Sequence, residues 1–190
     1  METVFPSPFY LVVTNMRYYK YPDDDIFVNG TVYLEEDDGC TFRQIIVSGE
    51  QRMASNLKYP NEAFALPDGW VDYDAFEEDF EGVISITQQE FDAVWNQHLL
   101  QNHHYWEKVK ALYPTGMQIT GAILIFYPQG VIVDLGSGAL GIAGYAQCQA
   151  SAQPEWMYPK HQIKAVVAGY DEKNQWIKLM EPQVLAKTIN

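Results

Sequence analysis

Histidines, cysteines and clustered acids are the residues of this sequence that could catalyse a reaction or hold a metal. His98 and His103 are not spaced to place two ligands on one face of a helix, and no HExxH motif is present. The acidic runs at residues 23–25 and 35–38 do not alternate as calcium ligands do, so we interpret them as solvated turns. No GxSxG elbow is present, and neither cysteine lies in a catalytic motif. The sequence therefore predicts no catalytic residue, no metal and no cofactor.

Residues 68–81 are the sharpest candidate for a binding site. They contain seven acids and no base, and aromatic residues are interleaved with the acids. Aromatic anchors in charged surroundings are typical of interaction hot spots, which favours a docking surface for a cationic partner. The alternative is a solvated face whose Phe76 and Phe80 pack inward. The residues predicted to bind the partner are Trp70, Asp72, Tyr73, Asp74, Glu77, Glu78 and Asp79.

The net charge of −13 is unevenly distributed along the chain. Residues 1–115 hold 20 acids and 7 bases, whereas residues 116–190 hold 5 acids and 5 bases. An acidic first part repels nucleic-acid phosphates and attracts basic proteins. We therefore expect the partner to be a basic protein.

The first part is predicted to be an antiparallel β region that ends in a helix. Segments rich in Val, Ile, Tyr and Phe indicate strands at 9–15, 26–35 and 40–49, and a short strand is predicted at 82–86. Residues 35–39 are predicted to form the hairpin tip between the second and third of these strands. The sequence Thr87-Gln88-Gln89-Glu90 is a capping box, which predicts a helix over 88–112 that ends before Pro114.

After Gly116, apolar and polar residues alternate in five segments. These segments are 117–126, 131–135, 141–146, 163–170 and 176–180, and five strands are the number expected of an OB-type barrel. Ile132 and Val133 are predicted to lie on opposite faces of one strand. Both faces of that strand are then apolar, so one of them must be covered by another element, such as the helix or the N-terminal sheet.

Several blocks of this second part resemble an S1 domain, the OB-fold module of ribosomal protein S1 and of many RNA-processing enzymes. The blocks are Gly121–Ile123, Gly130–Gly136, Gly141–Ala143 and a tail formed by His161–Val167 and Asp171–Leu179. The resemblance covers residues 116–182, about a third of the chain. It implies a five-stranded antiparallel barrel with a face that binds RNA. We recognise no family in residues 1–115.

The stacking positions of the S1-like part depart from the family's pattern. Positions that are aromatic in RNA-binding S1 domains fall on Gln129 and Ile132, and a histidine position falls on Gly144. Because each stacked base is worth about 1–3 kcal/mol, we expect any binding of RNA to be weak. The candidate residues for this alternative function are Phe126, Tyr127, Gln129, Ile132, Tyr145, Lys160 and Lys164.

The sequence thus predicts a mainly β (α+β) chain made of two parts. Residues 1–115 form an acidic β-rich domain that ends in a helix, and residues 116–190 form an S1-like OB barrel. The predicted function is non-catalytic protein binding, in one version as a bacterial immunity or inhibitor protein that neutralises a basic toxin such as a nuclease. We find no signal peptide and no apolar run of the ~20 residues that a membrane span needs, so we expect a cytoplasmic protein.

Overall fold

The computed structural model describes residues 16–23, 26–58 and 82–188, which are mainly β structure in two sheets joined by a long helix. The first sheet is antiparallel and has the strand order β4-β3-β2-β1-β5. Its strands are β1 (Arg17–Asp23), β2 (Gly30–Asp37), β3 (Cys40–Ser48), β4 (Gln51–Ala54) and β5 (Ile84–Ser85). The prediction of a mainly β chain with an antiparallel first sheet is confirmed.

The hairpin between β2 and β3 turns more tightly than the sequence predicted. Glu35 and Glu36 belong to β2 and are buried, so Asp38 and Gly39 alone form the turn, with φ values of 48° and 79°. Both values lie in the left-handed region that an Asp-Gly pair favours in a two-residue hairpin turn. The interpretation of residues 35–38 as a solvated turn is wrong for the two glutamates, because each forms an ion pair with an arginine.

The alternation of apolar residues does not reveal every strand of the first sheet. It misses β1 and β4, and the strand expected at 26–35 begins only at Gly30. Asp23 explains the late start, because its carboxylate accepts hydrogen bonds from the backbone N–H groups of Ile26 and Phe27 at 3.3 and 2.9 Å and holds a turn there. The short strand predicted near residue 84 is confirmed, and the strand predicted at 9–15 lies outside the described residues.

The long helix, α1 (Gln88–Leu112), packs against both sheets. The predicted capping box is confirmed: the Thr87 hydroxyl accepts a hydrogen bond from the backbone N–H of Glu90 at 3.2 Å, and the Glu90 carboxylate accepts one from the backbone N–H of Thr87 at 2.9 Å. Its buried apolar side chains are Phe91 and Trp95 on the first sheet, and Trp106 and Val109 on the second. No helix of the described residues has both the length and the apolar character needed to cross a membrane.

The second sheet contains five strands, and each pairs with two neighbours in the closed order β10-β8-β7-β6-β9. The strands are β6 (Gln118–Tyr127), β7 (Gly130–Asp134), β8 (Leu140–Ala143), β9 (His161–Asp171) and β10 (Trp176–Thr188). All pairings are antiparallel except that between β8 and β10, which is parallel. The prediction that every strand pair is antiparallel is therefore wrong at this position.

The parallel pair follows from a second helix, α2 (Tyr145–Ser151). The alternation of residues predicted that the third strand would continue to residue 146, but the strand ends at Ala143 and the helix begins at Tyr145. This helix packs its Cys148 into the core of the closed sheet. It separates β8 from β9, so β9 pairs with β6 and β10 fills the remaining position beside β8. Tyr145 consequently lies on a helix rather than on a strand.

The inside of the closed sheet is a packed apolar core. Gly121 stands where two strands approach closely, since a Cβ there would lie 2.6 Å from the backbone oxygen of Asp134. Val133 lies in this core, whereas Ile132 lies in a separate cluster on the opposite face. The prediction that both faces of β7 are apolar and buried is thus confirmed.

Candidate functional site

The outer face of the closed sheet is covered by the chain's own N-terminal part. A buried apolar cluster on this face consists of Tyr127, Ile132, Leu140 and Trp176. The Tyr127 hydroxyl donates a hydrogen bond to the backbone oxygen of Ser55 at 3.1 Å, and the Trp176 indole N–H donates one to the backbone oxygen of Asn56 at 3.0 Å. The residues that follow β4 therefore lie on this face and satisfy its polar groups.

Both turns beside the covered face are also bound by the N-terminal part. In the β6–β7 turn, the side-chain amide of Gln129 donates a hydrogen bond to the backbone oxygen of Phe42. In the β9–β10 turn, the backbone oxygen of Lys173 accepts a hydrogen bond from the Trp95 indole N–H at 2.7 Å. Strand β3 and helix α1 thus hold the two turns in place.

Asn56 is the centre of the polar contacts between the two sheets. Its side-chain oxygen lies 2.9 Å from Nε2 of His98, and its amide nitrogen donates a hydrogen bond to the backbone oxygen of Asn174 at 3.0 Å. His98 is 2% exposed, and burial, together with the charge of Arg52, lowers its pKa to about 4. The imidazole is therefore neutral near pH 7 and donates its Nε2 proton to Asn56.

A buried ion pair joins the first sheet, α1 and the β9–β10 turn. Arg43 donates hydrogen bonds to Glu35 on the neighbouring strand at 2.5 and 2.7 Å, and to Asp92 of α1 at 3.2 Å. Burial alone would raise the pKa of Glu35, but the hydrogen bonds and charge of Arg43, with the charge of Lys173, lower it below its ordinary value. The Glu35 carboxylate is therefore ionised, and its charge is compensated inside the protein.

A cleft of about 180 Å³ lies beside this ion pair, between the first sheet and the two turns of the second. Its lining residues are Met16, Glu35, Phe42, Arg43, Gln129, Lys173 and Asn174. Two lining side chains, Gln129 and Asn174, each have a buried amide oxygen without a hydrogen-bond partner among the described residues. Buried acceptors of this kind call for a donor.

Three candidates of the RNA alternative face the N-terminal part of the chain. Tyr127 and Ile132 belong to the covered apolar cluster, and Gln129 is bound to Phe42. A base cannot stack on Tyr127 or Ile132 in this arrangement, because residues 55 and 56 occupy that face.

The other four candidates of the RNA alternative lie elsewhere on the second sheet. Phe126 is half-buried and packs edge-on against Tyr145, with ring centroids 6.0 Å apart. Lys160 immediately precedes β9 and Lys164 lies on it, and both are exposed. The structure therefore does not bring the seven candidates together on one accessible surface.

The acidic candidates, Trp70, Asp72, Tyr73, Asp74, Glu77, Glu78 and Asp79, lie outside the described residues. Residues 59–81 contain eight acids and no base, whereas the described residues contain fourteen acids and twelve bases. Immediately before this segment, the Lys58 ammonium pairs with Asp134 of β7 at 2.7 Å. Val83, at the other end, packs against Tyr19 and Leu34 of the first sheet. The acidic segment is thus attached at both ends to a body of nearly balanced charge.

Metal ligands and free thiols are the remaining chemical groups to locate in the described ranges. No group of three His, Cys, Asp or Glu side chains within residues 16–23, 26–58 and 82–188 could hold a metal ion. Cys40 and Cys148 are free thiols, and burial raises the pKa of Cys148 to about 12. The Cys148 thiol is therefore protonated and unreactive near pH 7.

The polar residues that join the two sheets are not identified by sequence reasoning. The sequence does contain a signal for a buried Arg43. Strand alternation places Arg43 on the same face of β3 as the buried Ile45, and Arg43 lies opposite Glu35 on β2. No local pattern marks Asn56 or His98, whose partners are distant in the chain. Function must be inferred from these residues and contacts, since comparison with known proteins found no matching family model and no significant match among curated proteins or solved structures.

Proposed function

We propose that the chain is a non-catalytic protein-binding module that captures a basic protein on its acidic aromatic segment, residues 68–81. The observation that carries the proposal is the segregation of charge, with eight acids and no base in residues 59–81 against a nearly neutral body. A concentrated negative field steers a cationic partner to one place on the surface. In its specific version, the chain is a cytoplasmic bacterial immunity or inhibitor protein that neutralises a basic toxin such as a nuclease.

In this proposal the closed sheet is an S1-like OB barrel that uses its ligand face to hold the chain's own N-terminal part. OB folds bind oligonucleotides on the face of strands two and three, and on the loops that join strands one to two and four to five. The equivalent elements here carry Ile132, Gln129 and Lys173, and all three contact the N-terminal part or lie beneath it. The occupation of all three elements supports a structural role for this face.

The acidic segment is tested by comparing two variants that lose the same charge. The first is Glu77→Gln/Glu78→Gln/Asp79→Asn, and the matched control is Glu50→Gln/Glu155→Gln/Glu181→Gln, which neutralises three exposed acids outside the segment. Immobilised wild-type chain and both variants are used to capture proteins from the source cell, and each captured basic protein is purified for binding kinetics.

The first variant should bind the basic partner with an association rate reduced about tenfold or more, and the control should bind like the wild type. Added salt should slow association of the wild type far more than it speeds dissociation. Recovery of the same proteins in the same amounts by all three chains would contradict the proposal. A captured nuclease must also lose activity when the chain is added, or the inhibitor version is wrong.

The RNA alternative is tested by titrating labelled single-stranded oligonucleotides and following fluorescence anisotropy. We expect dissociation constants no tighter than the high micromolar range at physiological salt, because stacks worth about 1–3 kcal/mol each are missing or covered. Submicromolar binding that the exposed-site variant Tyr145→Ala abolishes would favour the RNA alternative over protein binding.

A further inference from the structure

The first sheet has two apolar faces, and α1 covers only one of them. On the covered face, Ile45 and its neighbours pack with Phe91 and Trp95 of the helix. Strand alternation puts the residue after Ile45 on the other side of the sheet. That opposite side, which we call the distal face, carries Tyr19, Tyr21, Val32, Leu34, Ile46 and Met53.

The distal face is buried, although few described residues pack on it. Leu34 lies on the middle strand β2 and is 0% exposed, and Ile46 on β3 is 2% exposed. Of the apolar side chains outside the strands in residues 16–23, 26–58 and 82–188, only Phe27 and Val83 pack here, and both are half-buried themselves. A sheet face this deeply buried needs a layer of side chains packed on it, so another part of the chain must supply that layer.

The order of the strands indicates which segment covers the distal face. Strands β4 and β5 lie at opposite edges of the first sheet, and residues 59–81 belong to the connection between them. The side toward α1 is already filled by the helix. The connection ends on the distal face, because Val83 packs there against Tyr19 and Leu34. Residues 1–15, in contrast, reach β1 from the other side, since Met16 packs in the cluster that α1 covers.

Residues 59–81 also have the length and the composition for this position. Their 23 residues can span ~75 Å when extended, whereas the four strand spacings from β4 to β5 amount to ~20 Å. Six of these residues are aromatic, and together in water they would form an apolar patch of a size that folded chains rarely expose. The six are Tyr59, Phe64, Trp70, Tyr73, Phe76 and Phe80.

We propose that residues 59–81 dock on the distal face, with Phe64, Phe76 and Phe80 against the sheet and the acids toward solvent. Phenylalanine suits an apolar face because it has no polar atom that needs a partner, whereas Trp and Tyr do. The eight acids must stay in water, because the segment has no base to compensate a buried charge. The acidic surface is then displayed on the side of the first sheet opposite α1. This docking requires no protein partner.

Thiol labelling tests whether the three phenylalanines cover the distal face. Met53 is 7% exposed on this face, so the full chain carrying Cys40→Ser and Met53→Cys places a reporter thiol there, and the buried Cys148 reports global unfolding. A maleimide should label both thiols slowly. Adding Phe64→Ser/Phe76→Ser/Phe80→Ser should speed labelling at Met53→Cys at least about tenfold and leave Cys148 protected. The acidic triple variant, and deletion of residues 1–15, should leave both thiols slow.

Photo-cross-linking gives the answer even if the phenylalanine triple variant does not fold. Phe27→p-azidophenylalanine places the probe beside the distal face, and Tyr33→p-azidophenylalanine is the matched control on the face that α1 covers. The first probe should cross-link within one chain to peptides from residues 59–81, and the control should not. Cross-links from the Phe27 position to residues 1–15 or to a second copy would overturn the proposal. So would unchanged labelling at Met53→Cys in the folded phenylalanine triple variant.

Discussion

Acidification should destabilise the chain through His98, whose neutral imidazole is buried against Asn56. The pKa of His98 is lowered from an ordinary value of 6.5 to about 4 in the folded chain, mainly by burial. Between these two pH values the unfolded chain binds the proton and the folded chain does not. The free energy of unfolding is therefore full above pH 6.5 and falls as the pH drops toward 4.

The size of the effect follows from the difference between the two pKa values. Each unit corresponds to about 1.4 kcal/mol, so the complete loss below pH 4 is about 3 kcal/mol, and about 2 kcal/mol of it is lost by pH 5. The Glu35 carboxylate, whose pKa is lowered, contributes its own loss only at more acidic pH. The range from pH 7 to pH 5 therefore isolates the histidine.

Urea denaturation at pH 7, 6 and 5 measures this dependence on wild type, His98→Gln and His104→Gln. His98→Gln removes the titrating group and should flatten the pH dependence by about 2 kcal/mol over this range. His104 is exposed on the same helix, so its variant should retain the wild-type slope. Parallel curves for wild type and His98→Gln would refute the assignment of the titration to His98.

Two further predictions concern the ion pair and the helix cap, and urea denaturation measures both. Arg43→Met should lower the free energy of unfolding by about 3–5 kcal/mol, because Glu35 is left buried without its partner, and the added change Glu35→Gln should restore most of the loss. A double variant no more stable than Arg43→Met would contradict this reasoning. Thr87→Ala should cost about 1 kcal/mol through loss of the capping hydrogen bond to Glu90, whereas Thr188→Ala at the end of β10 should cost less.

The elements predicted correctly are those whose signals are local. The capping box at Thr87 and Glu90 and the Pro-Gly break after residue 112 define α1 within the sequence itself. The β2–β3 hairpin is also local, because Asp38-Gly39 suits a two-residue turn. The acids at Glu35 and Glu36 were misinterpreted, because a run of acids is usually solvated, whereas these two pair with Arg43 on the neighbouring strand β3 and with Arg17 on β1.

The features that were missed depend on contacts between distant residues. Helix α2 is short, has no side-chain cap at Gly144 and is held by burial of Cys148 in a core that the sequence pattern does not show. The parallel pairing of β8 with β10 depends on where that helix carries the chain. Asn56 and His98 are 42 residues apart, and neither has a neighbour in sequence that signals a buried polar role.

The covered face links the fold to the proposed function. Buried indole and phenol groups need hydrogen-bond acceptors, and Trp176 and Tyr127 find theirs in backbone oxygens just after β4, where the strand's own pairing has ended. The first sheet in turn gains an apolar surface on which those residues pack. Each part thus satisfies groups that the other would leave exposed or unpaired. A face committed to this exchange is poorly placed to bind RNA, and this supports our proposal that a partner is recognised elsewhere on the chain, by the acidic segment.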